Sequence, residues 1–132
     1  MIGVDTNVLV RFLVDDDPRQ NESAREFMSA RHFDDPAFVS AVTLAETVWV
    51  LHRRLGFAIS SVVAILRDLL ASAGLIIEYA DELGRIIEDD AASGIDIADH
   101  LISWSGLAAG CTHTVTFDRR ATKSVTGMEL LG

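Results

Sequence analysis

One cysteine, Cys111, stands among 132 residues, so no internal disulfide braces this chain. No Cys/His cluster at ligand spacing offers a zinc site either. No apolar run approaches the roughly 20 residues that a membrane-spanning helix needs, and no membrane partner is expected. The first apolar stretch begins at Met1, with no basic segment or cleavable leader before it, and the expected location is the cytoplasm. Cations are scarce: 11 Lys and Arg, with Lys123 the sole lysine, stand against 20 Asp and Glu, for a net charge of −9. A protein that meets nucleic acid by bulk electrostatics is basic. Either nucleic acid is not the partner, or it is met by local bases while some of the acids serve a metal site. Internal repeats, low-complexity segments and linkers are also missing.

What is present is an ordinary globular balance, 49% apolar and 23% charged, of a length that suits one domain over residues 1–132. Ile2 to Val4 reads as a buried strand, followed by helix-start chemistry at Thr6 and Asn7 and the apolar Val8, Leu9, Val10, Phe12 and Leu13. Asp15-Asp16-Asp17-Pro18 is a solvated break, with Pro18 opening an amphipathic helix that runs to Arg31. Ala37–Val39 is a second strand, and Ser40 caps a helix over Ala41–Arg54 that stops at Gly56. A helix from Ser60 to Leu70, a third strand over Leu75–Tyr79 and a helix over Asp81–Ser93 follow. Asp96 opens a helix running to about Ala109, His113–Phe117 is a fourth strand, and Met128–Leu131 offers a fifth. Strands alternating with helices predict an α/β fold, a central parallel sheet of four to five strands flanked by helices.

Four acids draw attention within that frame. Asp5 ends the first strand, where ligands of open α/β sheets bind, although an Asp there also caps helices. On the Ala41–Arg54 helix, Leu44, Val48, Leu51 and Leu55 form one stripe. Glu46 lies about half a turn away, between Val42, Trp49 and Val50. The helix therefore reads as apolar nearly all round, with a carboxylate set into its second face. A buried, unpaired carboxylate costs several kcal/mol, so a cation is expected beside Glu46, Arg53 being one candidate. Asp96 and Asp99 share a face at a helix N-terminus, with Asp96 the better cap and Asp99 directed at the sheet's carboxyl edge. Asp118 repeats the pattern of Asp5. Carboxylates gathered on one edge repel each other unless a cation joins them, and oxygen-only ligands suit Mg²⁺ or Mn²⁺.

In order, Asp5-Thr6-Asn7, Leu44-Ala45-Glu46, Ile97-Ala98-Asp99-His100-Leu101-Ile102 and Thr116-Phe117-Asp118 resemble the motifs of the PIN domain, most closely the VapC-type toxins of toxin–antitoxin pairs. The resemblance covers essentially the whole chain and implies a three-layer fold and hydrolysis of RNA phosphodiesters with metal-activated water. It implies Asp5, Glu46 and Asp99 as core metal ligands, with Asp118 a fourth acid binding directly or through water. Asp96 resembles an accessory acid, and Thr6, Asn7 and Thr116 would orient the carboxylates by hydrogen bonds. It also implies a cognate antitoxin that covers the site with an Arg or Lys, and a homodimer; the Ala41–Arg54 and Ser60–Leu70 helices have apolar faces for one. Arg11, Arg119 and Arg120 are the expected phosphate contacts, with Arg53 nearby, whereas Arg54 and Lys123 read as ordinary solvated residues. None of His32, His52, His100 or His113 has a partner at ligand spacing, and all read as structural.

Competing readings fit less well. A haloacid-dehalogenase-type phosphatase needs an acid two residues after its nucleophilic Asp, and position 7 is Asn. A receiver domain wants an Asp after the third strand, which here ends in Glu78-Tyr79. The alternative from another class is a catalytically silent PIN-like subunit that binds RNA or protein.

Overall fold

Three apolar segments, each followed by a break and a helix, build the first sheet. In the computed structural model, which describes residues 1–88 and 96–132, β1 (Ile2–Gly3), β2 (Ala37–Val39) and β3 (Leu75–Ile77) lie parallel in that order. Ile2 stands opposite Ala37, and Ala37 opposite Leu75. β4 (Thr114–Thr116) and β5 (Met128–Leu130) form a separate parallel pair. The expected central sheet of four to five strands is corrected: among the described residues the strands divide three and two. β1 is only two residues long, and the N–H groups of Ile2 and Val4 donate to Pro36 and Phe38 on the β2 side. On its other edge Gly3 contributes no side chain and Ile2 is exposed, so little apolar surface draws β4 in. β3 is shorter than expected because Tyr79 has φ +60°, a left-handed conformation that cannot continue a strand.

The helices are α1 (Thr6–Leu13), α2 (Pro18–Ser29), α3 (Ala41–Trp49), α4 (Ile59–Leu70), α5 (Ala80–Glu88), α6 (Ile97–Ala108) and α7 (Arg119–Ser124). Their starts follow cap chemistry: Asp5 accepts from the Thr6 N–H at 2.8 Å, Asp17 from Gln20 at 3.1 Å, and Ser40 from Thr43 at 3.1 Å. The helix expected over Asp81–Ser93 is present through Glu88, and its remaining positions lie outside the described residues. The helix expected over Ala41–Arg54 divides at Trp49. Val50–Arg54 forms a π turn, with the Leu55 N–H donating to the Val50 carbonyl at 2.9 Å. Gly56, at φ +74°, then lets the Phe57 N–H return to the Leu51 carbonyl at 2.8 Å.

Leu9, Leu44, Leu51, Leu66, Leu83 and Ile97 are fully buried in one core shared by α1 to α6 and the first sheet. Ala121, Val125 and Met128 form a separate small cluster under α7 and β5. A hydrogen bond from the Ser103 hydroxyl to the Thr126 carbonyl, 2.8 Å, ties that unit to α6. Among the described residues no helix is long and apolar enough to cross a membrane.

Gly127 is the tight point of this junction: φ is +91°, and a Cβ there would lie 2.6 Å from Ser103 Oγ. Gly127→Ala should therefore lower stability by about 1–3 kcal/mol through strain and collision. Urea denaturation measures the change, and an unaltered midpoint would refute the tight packing.

Candidate functional site

Asp5 sits between β1 and α1, where its carboxylate caps the helix and stays exposed. Behind it the Thr6 hydroxyl is buried without a hydrogen-bond partner. Thr43 on α3 donates its hydroxyl to the Val4 carbonyl at 3.3 Å, which fixes α3 against the end of β1. Further along α3, Leu44 is in the core and Glu46 points outward. The expectation of an apolar helix buried all round is corrected here. Val42 is 69% and Trp49 59% exposed, so Glu46 lies on an open face and bears no desolvation cost needing a buried cation. It makes no ion pair with Arg53 or any other described residue.

Asp5 and Glu46 line one cavity of about 310 Å³, together with Asn7, Arg11, Asp16 and Arg54. Arg11, expected at a phosphate, is already engaged. Its Nη1 donates to both oxygens of Asp16 at 3.0 and 3.2 Å, and its Nε to Gln20 at 2.7 Å.

The remaining acids gather where α6 and α7 begin. Asp118 caps α7, accepting from Arg120 at 2.9 Å and Ala121 at 3.2 Å, while its own N–H donates to Thr116 Oγ1 at 3.1 Å. Thr116 thus steadies the turn that presents Asp118. Asp96 occupies the cap position of α6, but its side chain makes no capping bond, correcting the expectation that it caps. Its backbone, φ −103° and ψ 11°, is not in the extended region from which a cap carboxylate reaches back to the helix. The side chain is buried instead, with Oδ1 lacking a hydrogen bond among the described residues and Arg120 Nη2 standing 3.7 Å away. Asp99, one turn on, is pushed above the ordinary carboxyl range, first by burial and then by the Asp118 and Asp96 carboxylates, with Arg120 opposing. His100 is held below its usual range by burial, opposed by Asp96 and Asp99, and its ring packs on Trp104 at 5.5 Å. His52 bonds the Phe57 carbonyl at 2.9 Å, another packing role for a histidine.

The structure therefore brings the acids together in two groups, Asp5 with Glu46 and Asp96 with Asp99 and Asp118. The helices carrying Glu46 and Asp99, α3 and α6, pack on each other. Among the described residues no three His, Cys, Asp or Glu side chains stand close enough to hold a metal ion, so the carboxylates expected together on one edge are found apart, in these two groups. Like charges without a counter-ion minimise their energy by turning apart, which gives a physical reason for the spread. In chemistry the set fits a hard divalent cation: the donors are all oxygens, one carboxylate oxygen is buried without a donor, and Asp99 is strained by neighbours of its own sign. Arg119, the third expected phosphate contact, is exposed at the start of α7. Sequence reasoning missed Arg54 and Asp16 as lining residues of the Asp5 cavity. Asp16 had a signal, an acid five residues after Arg11, whereas Arg54 had none because its direction depends on the π turn.

A family model described as the PIN domain matches residues 2–125. No curated protein and no solved structure matches the chain.

Asp99 holds its proton more tightly folded than unfolded, where 3.8 is the ordinary value. Both states are protonated below that value, and stability is lost as pH rises through it to the raised folded one. In EDTA, Asp99→Asn should unfold at higher urea than wild type at pH 7 and at the same urea at pH 3. A variant no more stable than wild type at pH 7 would overturn the electrostatic account.

Proposed function

This chain belongs to the PIN-domain family, and from that premise we propose that it is a metal-dependent endoribonuclease, the toxin of a toxin–antitoxin pair. The PIN domain is a nuclease-type fold whose members are generally metal-dependent nucleases. The observation that carries the reading is the match of the PIN-domain model to residues 2–125, supported by the like charges of Asp118 and Asp96 that, after burial, hold Asp99 above the ordinary carboxyl range.

In this reading Asp5, Glu46, Asp99 and Asp118 hold Mg²⁺ or Mn²⁺. When bound, the ion supplies an activated water and counter-charge for the phosphoryl and leaving oxygens of RNA. The chain's own groups do the positioning. Thr116 holds the Asp118 turn by accepting the Asp118 N–H at its Oγ1, and the Thr6 N–H fixes one Asp5 oxygen. Asn7 lines the cavity beside Asp5, and Asp96 keeps Arg120 near Asp99. Arg119 and Arg120 meet the phosphates flanking the cut. No general base is required from the histidines, which pack or bond elsewhere.

The antitoxin covers this acidic rim with a cationic side chain, and the exposed Val42 and Trp49 beside Glu46 give it apolar footing. A homodimer uses the remaining apolar helix surface. A second reading, a silent PIN-like subunit binding RNA or protein, is favoured by the absence of three converging ligands among the described residues.

Purified, partner-free protein should cut total cellular RNA with Mg²⁺ or Mn²⁺ and not with EDTA, and folded Asp99→Asn should lose about 10²-fold or more of that activity. Metal binding without cutting would favour the silent subunit. Failure to bind metal would remove the ligand assignment altogether.

A further inference from the structure

The cavity that holds Asp5 and Glu46 contains two cations, and they differ in what they are free to do. Arg11 is ion-paired with Asp16 and hydrogen-bonded to Gln20. Arg54 is exposed and makes no ion pair or hydrogen bond through its side chain among the described residues, although it lines the same wall as both acids.

Its position there is a product of the π turn. Glu46 and Arg54 are eight residues apart, which on a continuous α-helix leaves them about 80° apart around the axis. A π turn closes one residue later than an α turn, so four residues of it rotate the chain beyond them back by roughly 70°. The Val50–Arg54 turn thereby carries Arg54 round to nearly the Glu46 side, with the Leu55 N–H to Val50 carbonyl bond holding the wider loop. Arg53 is turned off that wall and does not line the cavity. A helix departs from α geometry at a cost in hydrogen-bond quality, and such bulges recur at functional sites.

We propose that Arg54 is a substrate-positioning residue, holding a backbone phosphate of the RNA strand beside the Asp5–Glu46 acid pair. The proposal rests on the nuclease reading above. A chain of net charge −9 repels a polyanion at long range, so productive approach needs a cation at the acid wall itself. A guanidinium suits the task, because its planar fork takes two oxygens of one phosphate and stays charged at any working pH. Carboxylates of the cavity are directed at a cation, and Arg54 at the anion which that cation also faces. The volume of about 310 Å³ leaves room for both groups at once.

The test uses Arg54→Ala, Arg54→Lys and, as a remote loss of charge, Arg67→Ala on the exposed side of α4. Each is made in the Asp99→Asn background, so that RNA is bound and not consumed. Binding of a labelled, random-sequence single-stranded RNA of about 20 nucleotides is measured in Mg²⁺ over a range of KCl. Arg54→Ala should lower the slope of log affinity against log salt by about 0.7, one phosphate contact, which is about fivefold in affinity per tenfold change in salt. Arg54→Lys should keep the slope, and Arg67→Ala should leave it at the parent value. In cleavage by the otherwise wild-type enzyme, Arg54→Ala should raise KM about fivefold with kcat little changed. Equal slopes for Arg54→Ala and Arg67→Ala, with the parent binding RNA, would overturn the role of Arg54 and leave the nuclease reading standing. If wild type neither binds nor cuts RNA, the nuclease reading fails first, and the role of Arg54 with it.

Discussion

The inner face of α3, with Thr43, Leu44, Thr47 and Val48 buried, is wedged against α1, α6 and Val4, the residue after β1. From that constraint the acidic rim follows. Burying Leu44 and Val48 turns Glu46 to the opposite side, because residues two positions apart on a helix point about 200° from one another. Seating Thr43 on the Val4 carbonyl puts Glu46 over the turn that carries Asp5, and α3 packs on α6, the helix that carries Asp99 in its first turn.

The electrostatics then depend on how differently the acids are solvated. Asp5, Glu46 and Asp118 are exposed, and Asp5 and Asp118 are stabilised by backbone N–H groups at helix starts. Asp96 is 5% exposed and, among the described residues, lacks such a donor and has only Arg120 within reach. Asp99 stands between these extremes and takes the strain. An arrangement of this kind costs stability, and in the proposed reading a bound cation would return that energy. The net charge of −9 is consistent with it: acids concentrated in one region account for part of the excess, and bases need to act only locally.

Much of the scaffold is legible in the residues. Cap and breaker chemistry at Asp5, Asp17-Pro18, Ser40 and Gly56 located helix ends to within a residue or two. Parallel strands were readable from short apolar runs followed by helices. What was not legible depended on tertiary context. The division of the sheet reflects the two-residue length of β1 and the bare edge at Gly3, neither of which has a periodicity to read. Glu46 looked buried because Val42, Trp49 and Val50 are apolar, yet apolar residues also cover surfaces, and hydrophobicity alone does not tell a core face from an open one. Asp96 looked like a cap because of its position, and only its backbone angles disqualify it. The direction of Arg54 required knowing that the helix widens after Trp49.

The strand division also bears on Asp118. Its strand, its helix and β5 close on their own small cluster of Ala121, Val125 and Met128, apart from the core that places Asp5 and Glu46. The position of Asp118 relative to the other acids is therefore set by α6, through the Ser103–Thr126 hydrogen bond and the close approach of Gly127, and not by strand pairing with β1. Asp99 lies one turn into the same helix. The Asp99–Asp118 distance is thus held within one local unit, whereas the distance of both from Asp5 is set across the contact between α3 and α6. In the proposed metal site, a cation shared by all four acids would depend on that contact.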